Sequence, residues 1–278
     1  MEERIRRRRP RRRRIPLPLL CLIGLLAVIF VVGLIARGGH FDGKAKETFP
    51  DPEMNPYKES QFFRDGEFVF CKGVRTTTGV DVSIHQGDID WEAVKEAGVD
   101  FAIIRVGYRG YDKGGLYLDD NFQKNMDGAI AAGLDVGVYF YSQATTPMEA
   151  KAEAGMVLAA IDGYTLTYPV VYDWEYIPDA RTSGMTSQEV TDCAKAFCEV
   201  IESEFLQPAV YFNQALAQTT FRLPELQEYD FWLAQYNDAM TFAYDVEMWQ
   251  YTCQGTVPGI STNVDIDLCF KPYGKVSP

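Results

Sequence analysis

From Val80 to Phe270 the apolar positions keep changing period, from short runs spaced by two or fully apolar to longer stretches recurring every three to four residues. Runs of the first kind mark strands, and stretches of the second mark helices with one buried face. The pattern predicts strands at Val80–Ile84, Phe101–Tyr108, Val136–Ser142, Val170–Glu175 and Ala209–Asn213. Helices are predicted between them at Trp91–Ala97, Asp120–Ala132, Pro147–Ile161 and Ser187–Glu204. Strands that alternate with helices imply a parallel sheet. Beyond Asn213 the rhythm changes: Phe231–Tyr236, Glu247–Tyr251 and Val264–Phe270 read as strands with spacers too short or turn-rich for full crossover helices. Five strand-helix units and three further strands make eight strands, enough to close an α/β, TIM-like barrel of the (β/α)5(β)3 type with about five helices. An open doubly wound sheet is the competing topology, but the first strand-helix turn has no glycine-rich phosphate loop.

The start of the chain is a separate object. An arginine-rich tail at 1–16 precedes an apolar run at 17–36 that matches the thickness of a bilayer core, so the run is expected to be a transmembrane helix. The arginines favour a cytoplasmic N-terminus at the bacterial cell membrane and place the remainder outside, as a stalk at 37–76 and a barrel domain at 77–273. A cleaved signal peptide is the competing reading, although the run is long for one and no A-x-A site follows. The short Glu67–Phe70 run is expected to pack as a first piece of the domain.

Charge then has to be counted by compartment. Ten of the 27 basic and two of the 39 acidic residues precede position 38, which leaves 17 against 37 and a net charge of −20 outside. So acidic a region does not suit a nucleic acid or another polyanion and favours a neutral or weakly charged ligand. No partner chain is indicated, and a monomer is expected. The span holds Cys21; the remaining five cysteines leave at least one thiol unpaired, with Cys253 and Cys269 on the last two strands placed to bridge and Cys193 and Cys198 not.

The candidate chemistry lies in Pro169-Val170-Val171-Tyr172-Asp173-Trp174-Glu175. Strand side chains alternate faces, so Asp173 and Glu175 share one face while Val170, Tyr172 and Trp174 pack on the other. Two neighbouring buried carboxyls push a pKa upward, which is what a general acid requires. Asp81 and Asp265 fall at comparable strand ends and, across the closure of a barrel, are expected to face that pair. Asp88 and Asp119 read as cap or turn residues. With His40 in the stalk, the domain has only His85, too few imidazoles for a serine triad or a multi-histidine zinc centre, and His85 alone reads as a solvated loop residue. The same inward phase carries Arg105, Tyr139, Tyr141, Tyr211, Asn213, Trp232, Tyr236 and Gln250, rings and polar groups of the kind that stack on sugar faces and bond hydroxyls.

The blocks Gly79-Val80-Asp81-Val82-Ser83, Gln86-Gly87, Ile89-Asp90-Trp91, Phe101–Tyr108 and Gly137-Val138-Tyr139 recur in a known order. They are followed by Asp173-Trp174-Glu175, Trp232–Tyr236, Trp249-Gln250-Tyr251 and Val264-Asp265. Together they resemble glycoside hydrolase family 25, the muramidase lysozymes. The resemblance implies cleavage of the β-1,4 bond between N-acetylmuramic acid and N-acetylglucosamine in peptidoglycan, with no cofactor and no metal. It implies Glu175 as general acid, Asp173 as its partner and Asp81 and Asp265 as flanking acids; the eight polar and aromatic residues above are expected as substrate contacts from their inward phase. Asp267 departs from the asparagine common in the family, and no wall-binding repeat is evident. A barrel that binds wall glycan without cutting it and a metal-dependent hydrolase remain as alternatives.

Overall fold

The computed structural model describes residues 49–273. The arginine-rich tail and the predicted span lie outside the described residues, within which no helix is long and apolar enough to cross a membrane.

Eight strands close into a barrel: β3 (Thr77–Val82), β4 (Phe101–Arg109), β6 (Asp135–Ser142), β7 (Val170–Trp174), β8 (Pro208–Asn213), β9 (Asp230–Ala234), β10 (Met248–Gly255) and β11 (Val264–Cys269). Parallel pairing runs from β3 through β4, β6, β7, β8 and β9 to β10, and β11 closes the cylinder antiparallel to both β10 and β3. The helices are α1 (Trp91–Glu96), α2 (Phe122–Ala131), α3 (Pro147–Ala160), α4 (Ser187–Ser203) and α5 (Gln214–Thr219). Their starts follow local chemistry: Asp90, Thr146 and Asn213 cap α1, α3 and α5, and Thr186 with Glu189 forms a capping box on α4.

Two additions extend the expected plan. A three-residue strand β5 (Leu116–Leu118) lies antiparallel on the end of β4. Ahead of the barrel, β1 (Phe62–Asp65) and β2 (Phe68–Cys71) form a hairpin; β2 coincides with the Glu67–Phe70 run expected to pack on the domain, while β1 falls in the stretch expected as stalk. The hairpin packs on the barrel, with Phe62 edge-on to Trp249 at 5.2 Å and the Val69 backbone N–H donating to the Tyr251 hydroxyl at 3.3 Å. Residues from Phe49 onward thus form one compact unit with the barrel.

Alternation sorts the barrel side chains into two layers. Val80, Val82, Val170, Tyr172 and Trp174 face the helices, while Phe101, Ile103, Val171, Ala209, Trp232 and Met248 fill the interior. Each such large apolar side chain contributes roughly 1.5–3 kcal/mol on burial. The N-terminal end of the interior is plugged by Phe101 stacked on Tyr168 at 4.1 Å. Glycine makes the plug possible, because a Cβ on Gly79 would meet the Phe101 ring at 2.2 Å. The interior opens toward the C-terminal ends of the parallel strands, where Asp81 and Asp173 meet Asp265 at the start of the antiparallel β11.

The expected placement of Cys253 and Cys269 as a bridge is corrected. All five cysteines among the described residues are free. The β10–β11 register sets Cys269 opposite Met248, at the far end of the ladder from Cys253.

Candidate active site

The C-terminal mouth of the barrel holds a cavity of about 230 Å³. On one wall β7 delivers Asp173 with Tyr141 and Tyr211 as its register neighbours, and Glu175 follows one residue past the strand end. Asp173 is 5% exposed, and its Oδ1 has no hydrogen-bond partner among the described residues. Glu175 sits half-buried at the rim. Its main chain is fixed by Gln143, which donates to the Glu175 carbonyl at 3.2 Å and accepts from the Thr182 hydroxyl at 2.7 Å.

Across the cavity Asp81 and Asp265 lie directly opposite each other on neighbouring strands. Asp81 accepts from Gln250 Nε2 at 2.7 Å, while Gln250 Oε1 accepts from the hydroxyls of Tyr211 at 3.0 Å and Tyr236 at 3.1 Å. The amide thus offers its donor to the carboxyl and its acceptor to the phenols. Trp232 forms part of the floor, edge-on to Tyr211 at 4.8 Å, and its Nε1–H donates to Asp267 Oδ1 at 2.9 Å. Arg105 is held by Asp119 at 2.8 Å, and Asp119 also accepts the Ile84 and Asn121 backbone N–H groups.

The electrostatics follow from burial. Asp173 is pushed well above the ordinary carboxyl value by burial and then by Glu175, against the pull of Arg105. Glu175 is raised by burial. Burial, then Asp265 and Asp267, raise Asp81 well above its ordinary value, and Asp265 is pushed up to about 6 by burial. Asp267 is buried completely and raised as well. Carboxyls packed in this way titrate as a set, so protons stay in the cluster at pH values where isolated carboxyls have lost them.

Eleven of the twelve residues singled out from sequence line this one cavity: the four acids together with Arg105, Tyr139, Tyr141, Tyr211, Trp232, Tyr236 and Gln250. Asn213 does not. Its side chain accepts the Leu216 backbone N–H at 2.9 Å as the cap of α5, and it lines a groove of about 460 Å³ that shares Glu175, Tyr211 and Tyr236 with the cavity. His85 stands at the cavity wall beside Ser83 and Gln86. Asp119, expected as a cap or turn residue, does accept the Asn121 N–H in that way and is in addition a buried anchor for Arg105; a polar residue placed where a strand meets a helix gave no sign of that second pairing. Gln143 carried no sequence signal, since its role depends on a carbonyl brought near by folding. Among the described residues no three His, Cys, Asp or Glu side chains are arranged to hold a metal ion.

The sequence profile of glycosyl hydrolases family 25 matches residues 80–260, well over half the chain. The chain belongs to this family. The match contains Asp81, Asp173 and Glu175, and Asp265 lies just beyond it. The chain is 28% identical over 200 residues to the autolytic lysozyme of Clostridium acetobutylicum, covering 68% of this chain and 54% of the relative. It is also 28% identical to lysozyme M1 of Streptomyces globisporus over 67% of this chain and 65% of that protein. The chain spans about half the length of the clostridial relative. Among solved structures, the modular autolysin LytC of Streptococcus pneumoniae, determined with a synthetic peptidoglycan ligand, superposes with a TM-score of 0.64 at 25% identity, covering 78% of this chain and 52% of LytC. The lysozyme of Streptomyces coelicolor gives 0.56 at 25% identity over 69% of this chain and 90% of its own.

Proposed function

We propose that this family 25 chain is a muramidase that hydrolyses the β-1,4 bond between N-acetylmuramic acid and N-acetylglucosamine in peptidoglycan. The observation that carries the reading is the carboxyl pair: Glu175 at the rim of an open cavity and Asp173 buried below it with an unpartnered oxygen. The lysozyme relatives supply the substrate class.

In this reading Glu175 protonates the leaving glycosidic oxygen. Asp173 near the end of β7 and Glu175 just past it form a pair in which Glu175 raises the pKa of Asp173, and we assign them a retaining, substrate-assisted route. The substrate's own 2-acetamido oxygen attacks the anomeric carbon as the glycosidic bond breaks, and a water then opens the cyclic intermediate, giving its proton to Glu175. Asp173 Oδ1 accepts the acetamido N–H, a bond that favours its ionised form, and the resulting negative charge keeps the proton on Glu175. Asp81 and Asp265 add to that field from the opposite wall. Tyr236, exposed at the mouth, offers a face for a sugar ring, while Trp232 closes the floor beneath.

The apolar stretch at 17–36 supports a tether: a single-pass anchor, cytoplasmic N-terminus and extracytoplasmic barrel, with the linker ending near residue 48 rather than 76 because the hairpin packs on the barrel. A tethered enzyme reaches only nearby wall, which points to remodelling of the cell's own peptidoglycan. Digestion of purified peptidoglycan followed by mass spectrometry of new reducing ends tests the activity. N-acetylmuramic acid ends are expected, and N-acetylglucosamine ends would make the chain a glucosaminidase. An inverted anomeric product, seen by NMR before mutarotation, would remove the acetamido mechanism and leave the hydrolase.

A further inference from the structure

Beside the catalytic cavity lies a second groove of about 420 Å³, lined among others by Arg64, Tyr236, Asp238, Tyr251 and Gln254. Tyr236 belongs to both spaces and is 53% exposed, so its ring forms the lip between them. We propose that this groove takes the peptide attached to the muramoyl residue, with Arg64 binding a peptide carboxylate. The inference rests on the muramidase reading, because it is the lactyl group of muramic acid that bears the peptide.

Arg64 comes from the β1–β2 hairpin, outside the stretch that matches the family profile. Among the described residues it is the only lysine or arginine lining the groove, in a region whose charge is otherwise strongly acidic. Its placement is built: Nε donates to Asp238 at 2.8 Å, Nη1 donates to the Glu67 carbonyl at 3.1 Å, and the guanidinium sits over the Tyr251 ring at 5.5 Å. The hairpin that carries it is in turn fixed to β10, the strand that supplies Gln250 to the cavity. Nη2 has no partner among the described residues, which leaves one edge of the fork free for a planar carboxylate. Asp238 is 86% exposed, so the pair it makes with Arg64 is a solvent-screened one that an incoming carboxylate can share or displace. A peptide joined to the sugar in the cavity extends by roughly 3.3–3.6 Å per residue, and the two spaces meet at Tyr236. Covalent attachment also holds its carboxylate at high local concentration.

The test uses the full chain in detergent with two substrates: glycan strands bearing stem peptides, and the same strands stripped by an amidase. Initial rates of new muramic acid ends are compared for wild type, Arg64→Gln and Arg64→Lys. Wild type is expected to prefer peptide-bearing strands by roughly threefold to tenfold, the range for a partly exposed charge-assisted contact. Arg64→Gln should abolish the preference by slowing cleavage of peptide-bearing strands alone, Arg64→Lys should retain part of it, and high salt should erode it in wild type. The proposal is overturned if wild type cuts both strands equally well, if Arg64→Gln leaves the preference intact, or if Arg64→Gln slows both substrates equally, which would mark Arg64 as a brace for the hairpin. Absence of muramic acid ends from either strand defeats the muramidase reading itself and this inference with it.

Discussion

Asp81 and Asp265 are direct cross-strand partners where the antiparallel strand β11 meets β3, the seam that closes the barrel. Like charges in that position oppose pairing, and both carboxyls are raised above their ordinary values. A seam built for stability alone would not set two acids there. Asp265→Asn is therefore expected to raise stability at pH 7.5 by roughly 0.5–1 kcal/mol, the scale of a cross-strand pair. Cleavage should fall at the same time. Urea unfolding paired with peptidoglycan assays checks both, and loss of stability in the variant would contradict the placement.

The pH dependence of stability has a definite sign. Asp265 moves from 3.8 to about 6 and Glu247 from 4.5 to about 7, so the folded chain binds more protons than the unfolded one in that window. A group with a raised folded pKa gives its full contribution below its unfolded value and loses it as pH climbs through the folded value. Asp81, Asp173 and Asp267 act in the same direction. Glu149, lowered to about 2 by Arg181, does the reverse and loses its contribution as pH falls below about 4.5. Melting temperature should therefore be higher near pH 4 than at pH 7.5, falling steadily between them. Differential scanning calorimetry across that range decides it; a rise toward neutrality would show that the cluster is ionised when folded.

Gln143 is completely buried and joins the Glu175 carbonyl to the Thr182 hydroxyl. Gln143→Ala leaves both groups without this partner. The expected cost is about 1–3 kcal/mol of stability, with kcat reduced more than KM because the loop carrying the acid loses its anchor. Steady-state kinetics on a soluble muropeptide oligomer separates the two parameters. A pure KM effect would assign Gln143 to substrate contact instead.

Much of the site was legible before folding. A period of two fixed Asp173 and Glu175 on one face, and counting eight strands brought Asp81 and Asp265 across from them, because inward phase is a local property of each strand. Asn213 shows where phase misleads: it has the right parity but stands at the last position of β8, and the start of α5 claims its side chain. The second strand of the hairpin at 62–71 was legible as the Glu67–Phe70 run, but the first was hidden because polar Arg64 and Asp65 break its apolar pattern, and the hairpin's anchor, Trp249 and Tyr251, lies far along the chain. The Arg105–Asp119 pair likewise joins positions 14 residues apart that no helical or strand period connects.

Asp267 lies beneath the floor with one oxygen on Trp232 and the other unpartnered beside the Asp81 carboxyl. Asp267→Asn keeps an acceptor for the indole N–H and removes one acid from beneath Asp81. With one fewer negative neighbour, the Asp81 carboxyl ionises more easily, so any step of the kcat/KM profile that reports it should shift to lower pH. An unchanged profile would show that Asp267 is purely structural.

The central claim is that the acid at the rim keeps its proton when ordinary glutamates have lost theirs. Carbon-13 NMR of the labelled side-chain carboxyls, with Glu175 assigned by its absence in Glu175→Gln, measures this directly. Titration of Glu175 with a midpoint clearly above about 4.3, the value of an unperturbed glutamate, is the predicted result. A midpoint at or below that value would mean an ionised carboxylate at neutral pH, unable to protonate a leaving group, and would contradict the acid role assigned to it.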